Sequence, residues 1–312
     1  MIILGDRYSF SKVERDRVKK RFSTINHISY ITLPAEECTV KIERILKTAN
    51  SRLIVLNTKA PLPPKLLTYL TQLEIKGIRY MTIEHFMEKY LHKCLIVDES
   101  FNIAFLDDIH SYTKFQKIQK RAVDYIAIII LFIPTLLATI YSAYRILRES
   151  PGTLFFRQKR VGLGECEFTC IKLRSMHLDA EKDGAKFATD NDPRAFPWGE
   201  TLRRTKIDEL IQLWNVLKGE MHFVGPRPER KIWTHEFEKF IPYYNQRHIV
   251  KPGITGLAQI KYQYGSGKLD AKEKLMYDLY YIKNWNILLE LEIIWKTMLF
   301  VLTKKRENLS NF

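Results

Sequence analysis

Cysteine is scarce in this chain, with four residues (Cys38, Cys94, Cys166, Cys170) among 312. The first residues do not read as a cleavable leader, so a disulfide framework is excluded and the thiols are expected to be reduced. Cys166 and Cys170 lack a second Cys or His pair at finger-like spacing, which excludes a zinc module and leaves them as packing residues. No G-x-G-x-x-G follows the first apolar run and no P-loop occurs, so nothing marks the first hundred residues as a nucleotide site. Nucleic-acid-binding motifs are also missing, and no nucleic-acid partner is expected. Negative charge is short as well. Asp and Glu number 35 against 50 Lys and Arg, a formal charge of +15, which points to phosphorylated substrates or an anionic membrane surface.

Long apolar runs are equally rare, and one stands alone. Between Tyr125 and Tyr144 no charged residue occurs over 20 positions, close to the ~20 needed to cross the hydrocarbon of a bilayer. Lys114, Lys117, Lys120 and Arg121 precede the run, and Arg145, Arg148, Arg157, Lys159 and Arg160 follow it. Basic flanks on both sides place both ends on the cytoplasmic face of the inner membrane. A single straight span cannot satisfy that, whereas a re-entrant helical hairpin bent at Pro134 can, because proline removes a backbone donor and clashes with the preceding turn. A proline-kinked spanning helix is the alternative. The run divides the chain into residues 1–113, 114–150 and 151–312.

In the first part, short apolar runs at Met1–Gly5, Arg52–Leu56 and Ile78–Ile83 read as strands. Leu66, Leu67, Tyr69, Leu70 and Leu73 recur at helical spacing between the last two. An α/β domain with an open, Rossmann-like sheet is expected, serving as a regulatory or dimerising attachment. In the third part, a β-hairpin is expected around Val161-Gly-Leu-Gly164, followed by an amphipathic helix from about Thr205 to the glycine cap at Gly219. The tail from Trp285 to Thr303 is apolar but contains Glu290, Glu292 and Lys296, so a helix in the membrane interface or packed on the domain is expected rather than a span.

Asp208 and Glu209 lie at the start of the amphipathic helix, behind Arg203 and Arg204. A capping box with Thr205 would make Asp208 purely structural. The other reading is phosphate chemistry, in which cations hold a diphosphate, one carboxylate attacks phosphorus and its neighbour holds Mg²⁺. Arg227, fenced by Pro226 and Pro228, suits bidentate phosphate recognition, and Arg247 and Lys251 flank another rigid turn.

Eight motifs occur in order: Lys120-Arg121 through Asp124, Phe156-Arg-Gln158 with Arg160 and Gly162, Lys172-Leu-Arg-Ser-Met176, Ile207-Asp-Glu-Leu210, Asn215-Val-Leu-Lys-Gly219, Val224-Gly-Pro-Arg-Pro228, Lys251-Pro-Gly-Ile-Thr-Gly256 and Asp278-Leu-Tyr-Tyr281. From about Lys117 to about Lys305 the chain resembles the bacterial sugar transferase family, the monotopic polyprenyl-phosphate phosphoglycosyltransferases. The resemblance implies a mainly α (α+β) catalytic domain with interfacial amphipathic helices, acting on a nucleoside-diphosphate sugar and a polyprenyl phosphate. It implies that Asp208 attacks the β-phosphorus, that the nucleoside monophosphate leaves, and that Glu209 is a Mg²⁺ ligand. Arg203 occupies the place of a phosphate-binding arginine, and Arg160, Lys172, Arg227, Arg247 and Lys251 complete the expected phosphate-binding set.

Two departures from the family are visible. Its hairpin commonly bends at Ser-Pro, where this chain has Ile133-Pro134 about one turn earlier. Tyr262-Gln-Tyr-Gly-Ser266 resembles the exopolysaccharide-type members, whose several leading membrane helices are not seen here, so a truncated form is expected. A homodimer through the first domain is a further expectation. A non-catalytic membrane scaffold and a metal-dependent phosphohydrolase are the rival readings.

Overall fold

The computed structural model describes residues 1–48, 52–96, 107–182, 184–187, 189, 192–262 and 267–303. The motif expected at Tyr262–Ser266 lies, beyond Tyr262, outside the described residues. The architecture is mixed α/β and mostly helical. The chain separates into two compact units, Met1–Ser100 and Phe101–Ser310.

In the first unit, four short strands form a parallel sheet in the order β2-β1-β3-β4: β1 (Ile2–Leu4), β2 (Asn26–Ile28), β3 (Leu53–Leu56) and β4 (Arg79–Thr82). Parallel neighbours cannot be joined by a tight turn, so helices fill the crossovers. These are α1 (Lys12–Arg21), α2 (Ala35–Thr48) and α3 (Pro64–Ile75), with α4 (Ile83–Phe86) after the last strand. Ile2, Leu4 and Ile54 of the sheet meet Cys38 and Ile42 of α2 and Leu66, Leu70 and Leu73 of α3 in one aliphatic core. Strand β2 was not foreseen, because Asn-His-Ile offers no apolar run and its place is set by pairing with β1.

The second unit opens with a single helix of 36 residues, α5 (Lys114–Glu149), entered through a capping box between Thr113 and Gln116. The helix runs on through Pro134 and is about 54 Å long along its axis. Among the described residues it alone is long and apolar enough to cross a membrane. Ile126, Ile129, Ile130, Phe132, Ile133, Leu136, Leu137 and Ile140 are all exposed, which a core helix of a soluble protein would not tolerate. A membrane-associated segment follows from that exposure.

Both ends of α5 dock on the same unit. Near its start, Lys120 Nζ donates to Val224 O (2.8 Å) and Glu290 Oε1 (2.8 Å), and Asp124 accepts from the Phe223 amide (2.7 Å). Near its end, Ile146 packs with Leu173, Phe196 and Leu202, and Glu149 accepts from the Trp198 amide (2.5 Å). The buried residues Lys120, Asp124, Thr135, Ser142 and Ile146 recur at intervals of four, seven and eleven, all close to whole helical turns, so one stripe is covered while the rest of the surface stays open.

After α5 come the antiparallel strands β5 (Phe155–Val161) and β6 (Glu167–Leu173), joined by a tight turn with Gly164 at φ +59°. A helix α6 (Pro197–Thr205) ends where the expected helix was to start, and the expected span from about Thr205 to Gly219 is instead two short pieces, α7 (Ile207–Leu210) and α8 (Leu213–Lys218). The break falls at Lys206, which takes a left-handed φ of +61°. Gly219 ends α8 at φ +80° as a C-cap, which the sequence did foretell. The remaining elements are β7 (His222–Val224) paired in parallel with β8 (Gly253–Thr255), and the helices α9 (Lys231–Glu238), α10 (Leu257–Lys261), α11 (Lys268–Lys283) and α12 (Ile287–Thr303). Helix α12 buries Glu290, Ile293 and Lys296 and exposes Leu288, Leu291, Trp295 and Met298. Glu290 and Lys296 thus face protein, Glu292 stays exposed and pairs with Lys296, and the apolar stripe faces outward.

Candidate active site

The site is assembled by three local structures. In the β5/β6 register Phe156 lies opposite Lys172, Gln158 opposite Cys170, and Arg160 opposite Phe168, so Arg160, Cys170 and Lys172 share one face of the hairpin. The kink at Lys206 turns the chain so that Asp208 and Glu209 enter the interior on a four-residue turn. A non-glycine residue in the left-handed region costs roughly 1–2 kcal/mol, a strain that is stored at functional sites. The third structure is the turn after β7 that bears Arg227, whose glycine cannot be enlarged: a Cβ on Gly225 would lie 2.8 Å from Lys251 O.

Glu209 is the charge hub. Arg227 grips it with a fork, Nη2 to Oε1 at 2.7 Å and Nη1 to Oε2 at 3.1 Å, while Lys172 Nζ reaches Oε1 at 2.6 Å. Burial pushes the Glu209 carboxyl up, but Arg227 and Lys172 outweigh it and hold the group well below the usual carboxylate range. Arg227 is in turn shifted up by Glu209.

Asp208 has the opposite environment. It is 6% exposed, and its Oδ1 has no hydrogen-bond partner among the described residues. Burial, and next the charge of Glu209, raise its pKa to about 6 against the pull of Lys172, Lys206 and Arg227. Thr205 does not cap it, because the Thr205 hydroxyl donates back to Thr201 O at 2.8 Å and no side chain caps α7. Two adjacent carboxylates are thereby driven apart, one neutralised by cations and one left with a bare oxygen, the pattern of a nucleophile beside an electrostatic partner.

The other expected residues are distributed around this centre. Arg160 donates to Pro228 O at 3.3 Å and lies 3.5 Å from Glu229, behind the Arg227 turn. Arg247 is buried, donates to Arg227 O at 2.8 Å and pairs with Asp278 at 2.9 Å, so it holds the turn in place while also lining a cavity beside it. Arg203 points elsewhere, to Thr189 O at 3.2 Å and Asp192 at 3.8 Å. Lys251 lies beside Gly219 in the electrostatic neighbourhood of Arg121, Lys117 and Asp124, close to the start of α5. Pro134 lies inside the long helix.

Lys206 was missed from the sequence. Its side chain is exposed, its pKa is nonetheless lowered by desolvation near the carboxylate pair, and it feels the charges of Glu209, Arg227 and Asp208. Only the left-handed kink brings it beside the carboxylate pair. A cavity of about 60 Å³ opens on the far side of Arg227, walled by Gln259, Tyr262 and Lys274 among others. Gln259 Oε1 has no partner among the described residues.

Fold and site together define a membrane-attached unit with a buried carboxylate pair under a cover of fixed cations. Residues 115–304 match the family described as bacterial sugar transferase. The chain is 44% identical over 187 residues to the UDP-N-acetylgalactosamine-undecaprenyl-phosphate N-acetylgalactosaminephosphotransferase of Aeromonas hydrophila, covering 59% of this chain and 44% of that protein. It is 37% identical over 191 residues to the UDP-glucose:undecaprenyl-phosphate glucose-1-phosphate transferase of Caulobacter vibrioides, covering 60% of this chain and 70% of that one. It is also 37% identical over 194 residues to the exopolysaccharide production protein PSS of Rhizobium leguminosarum bv. phaseoli, 59% of this chain and 96% of that one. The chain spans less than half the length of the Aeromonas relative. The chain belongs to the bacterial sugar transferase family.

Proposed function

We propose that the chain moves a sugar 1-phosphate from a UDP-sugar to undecaprenyl phosphate, as the first membrane step in assembling a surface glycan. The observation that supports this reading most is the bare, buried oxygen of Asp208 beside a Glu209 already clamped by Arg227 and Lys172. In its ionised form, Asp208 attacks the β-phosphorus, a phosphorus–oxygen bond forms to its carboxylate, and the bond from that phosphorus to the bridging oxygen breaks. The electron pair leaves with UMP. An oxygen of the lipid phosphate then attacks the same phosphorus and releases Asp208, giving the lipid diphosphosugar. Arg227 and Lys172 transfer from Glu209 to the substrate phosphates, which suits a guanidinium fork and an ammonium point charge.

The residues fit a divalent cation. Glu209 would hold Mg²⁺, with substrate phosphates and water completing the shell, as Mg²⁺ prefers few protein ligands, and the bare oxygen of Asp208 is left for attack. Bound there, the ion would neutralise charge on the diphosphate. Positive charge would then remain beside Glu209 when its two side-chain cations turn to substrate.

The membrane reading is that α5 is re-entrant. Polar anchors at both of its ends attach to one unit, and the exposed apolar surface lies between them. The outward stripe of α12 then rests in the interface. Both ends of α5 and the catalytic unit occupy the cytoplasmic face, where UDP-sugars are made. Cysteines placed at Lys117 and Gln158 should both be labelled from the cytoplasm and neither from outside; outside labelling at position 117 contradicts the hairpin.

The activity is tested with detergent-solubilised protein, a panel of UDP-sugars and Mg²⁺, with and without undecaprenyl phosphate. Sustained UMP release that requires the lipid supports transfer. Sustained release without lipid means hydrolysis, and no release with any sugar means a scaffold.

A further inference from the structure

We propose that the first unit binds a phosphorylated, ring-bearing small molecule, a nucleotide by chemical class, in a basic pocket at the end of the sheet where β1, β3 and β4 begin. The pocket holds about 400 Å³, within the range of small-molecule sites. Arg21, Arg52, Arg79 and Lys89 line it, and no Asp or Glu does. None of these four cations forms an ion pair with another described residue. Four like charges converging on one concavity repel one another and focus a positive potential there, which an anion relieves. Arginine forks match the oxygens of a phosphate bidentately, and two of them can share one diphosphate.

The walls also specify a ring. Phe22 and Tyr90 both line the pocket, edge to face at 5.2 Å. Arg21 lies 5.1 Å and Lys89 5.8 Å from the centre of the Tyr90 ring, so the aromatic side chain holds two of the cations in position. A planar base against these rings, with its phosphates on Arg52 and Arg79, uses both kinds of wall.

The opposite end of the sheet is closed. Ligands of open parallel sheets usually sit outside the carboxyl ends of the strands. Here the Asn57 side chain fills that crevice, donating to Gly5 O at 3.1 Å and Tyr8 O at 2.8 Å and accepting from the Tyr8 amide at 2.8 Å. A Cβ on Gly5 would lie 2.4 Å from Asn57 O. The missing glycine fingerprint agrees, since it serves the carboxyl end.

Hydrogen exchange on the full chain in detergent, read by mass spectrometry, tests this with ADP and UDP as probes. Because the readout is local, nucleotide bound near Asp208 does not interfere. Residues 21–24 and 79–90 should become protected with either nucleotide, at concentrations at least tenfold lower than inorganic diphosphate or adenosine requires. Arg52→Glu with Arg79→Glu should abolish that protection, and the milder Arg52→Gln should weaken it several-fold with melting temperature unchanged. Equal protection by diphosphate alone overturns the ring assignment. Protection by phosphatidylglycerol vesicles but not by nucleotide assigns the surface to the membrane and overturns the proposal, as does no protection at millimolar nucleotide.

Discussion

The two units solve the problem of an interior differently. The first closes a parallel sheet with aliphatic side chains, and its buried ion pair, Lys93 with Glu14 at 2.5 Å, serves the entry to α1, where the Glu14 carboxylate also accepts from the Ser11 amide. The second unit has pairs throughout its interior: Lys120 with Glu290, Asp124 with His222, Arg247 with Asp278, Arg227 with Glu209. Buried pairs add little net stability, because desolvation offsets attraction, yet breaking one is costly. Their concentration in one unit therefore marks where geometry, rather than burial, is the requirement. Three of them fasten α5, α12 and the Arg227 turn to the site. The fourth is the site.

The sharpest way to break this comparison is Asp208→Asn. Turnover should fall roughly a thousandfold or more, as expected for loss of a covalent nucleophile. Stability should move the other way. Burial raises the Asp208 pKa to about 6, so the folded state resists ionising it, and stability present at low pH is lost as pH rises through about 6. The asparagine variant, unable to ionise, should melt above wild type at pH 8. A lower melting temperature would make Asp208 a structural residue.

Next in size is Lys120→Met, which strands Glu290 in the interior and should cost about 3–5 kcal/mol in denaturant unfolding of the second unit. In the first unit the comparable change, Leu70→Ala, leaves a cavity and should cost about 2–5 kcal/mol with turnover per folded molecule unchanged. If Leu70→Ala slowed catalysis in folded protein, the division of labour between units would fail.

How far the sequence could be read follows the same division. The repeated leucines of α3 and the apolar strands were legible because burial has a period. Asp208, Glu209, Lys172 and Arg227 were legible because the motifs that carry them are local in sequence, and the fold brings these four together. The break at Lys206 was not, since a left-handed lysine has no compositional signal. Nor were the placements of Arg203 against Asp192 and of Lys251 near the start of α5, because an arginine or lysine in a motif does not announce which acid it will meet.

Arg227→Lys sharpens the reading of the fork. A single ammonium cannot replace two parallel contacts to Glu209, so the catalytic rate should fall about tenfold or more while charge is conserved. Near-wild-type kinetics would reduce the turn to a structural role. The smallest effect is that of pH on the intact enzyme. Because Asp208 must be ionised to attack, the rate should be half-maximal near pH 6, fall below it and level off above it. The Leu70→Ala profile should overlay that of wild type.

The central claim is that the sugar phosphate is carried on Asp208. Wild-type protein incubated with each UDP-sugar and Mg²⁺ in the absence of undecaprenyl phosphate, then quenched and digested, should yield one peptide containing Asp208 whose mass is increased by a sugar phosphate. At most one equivalent of UMP should be released. The adduct should vanish on adding the lipid acceptor and be absent from Asp208→Asn. Rapid lipid-dependent UMP release by wild type, with no adduct at any time and no burst in the absence of acceptor, would contradict the account and replace it with direct transfer between the two substrates.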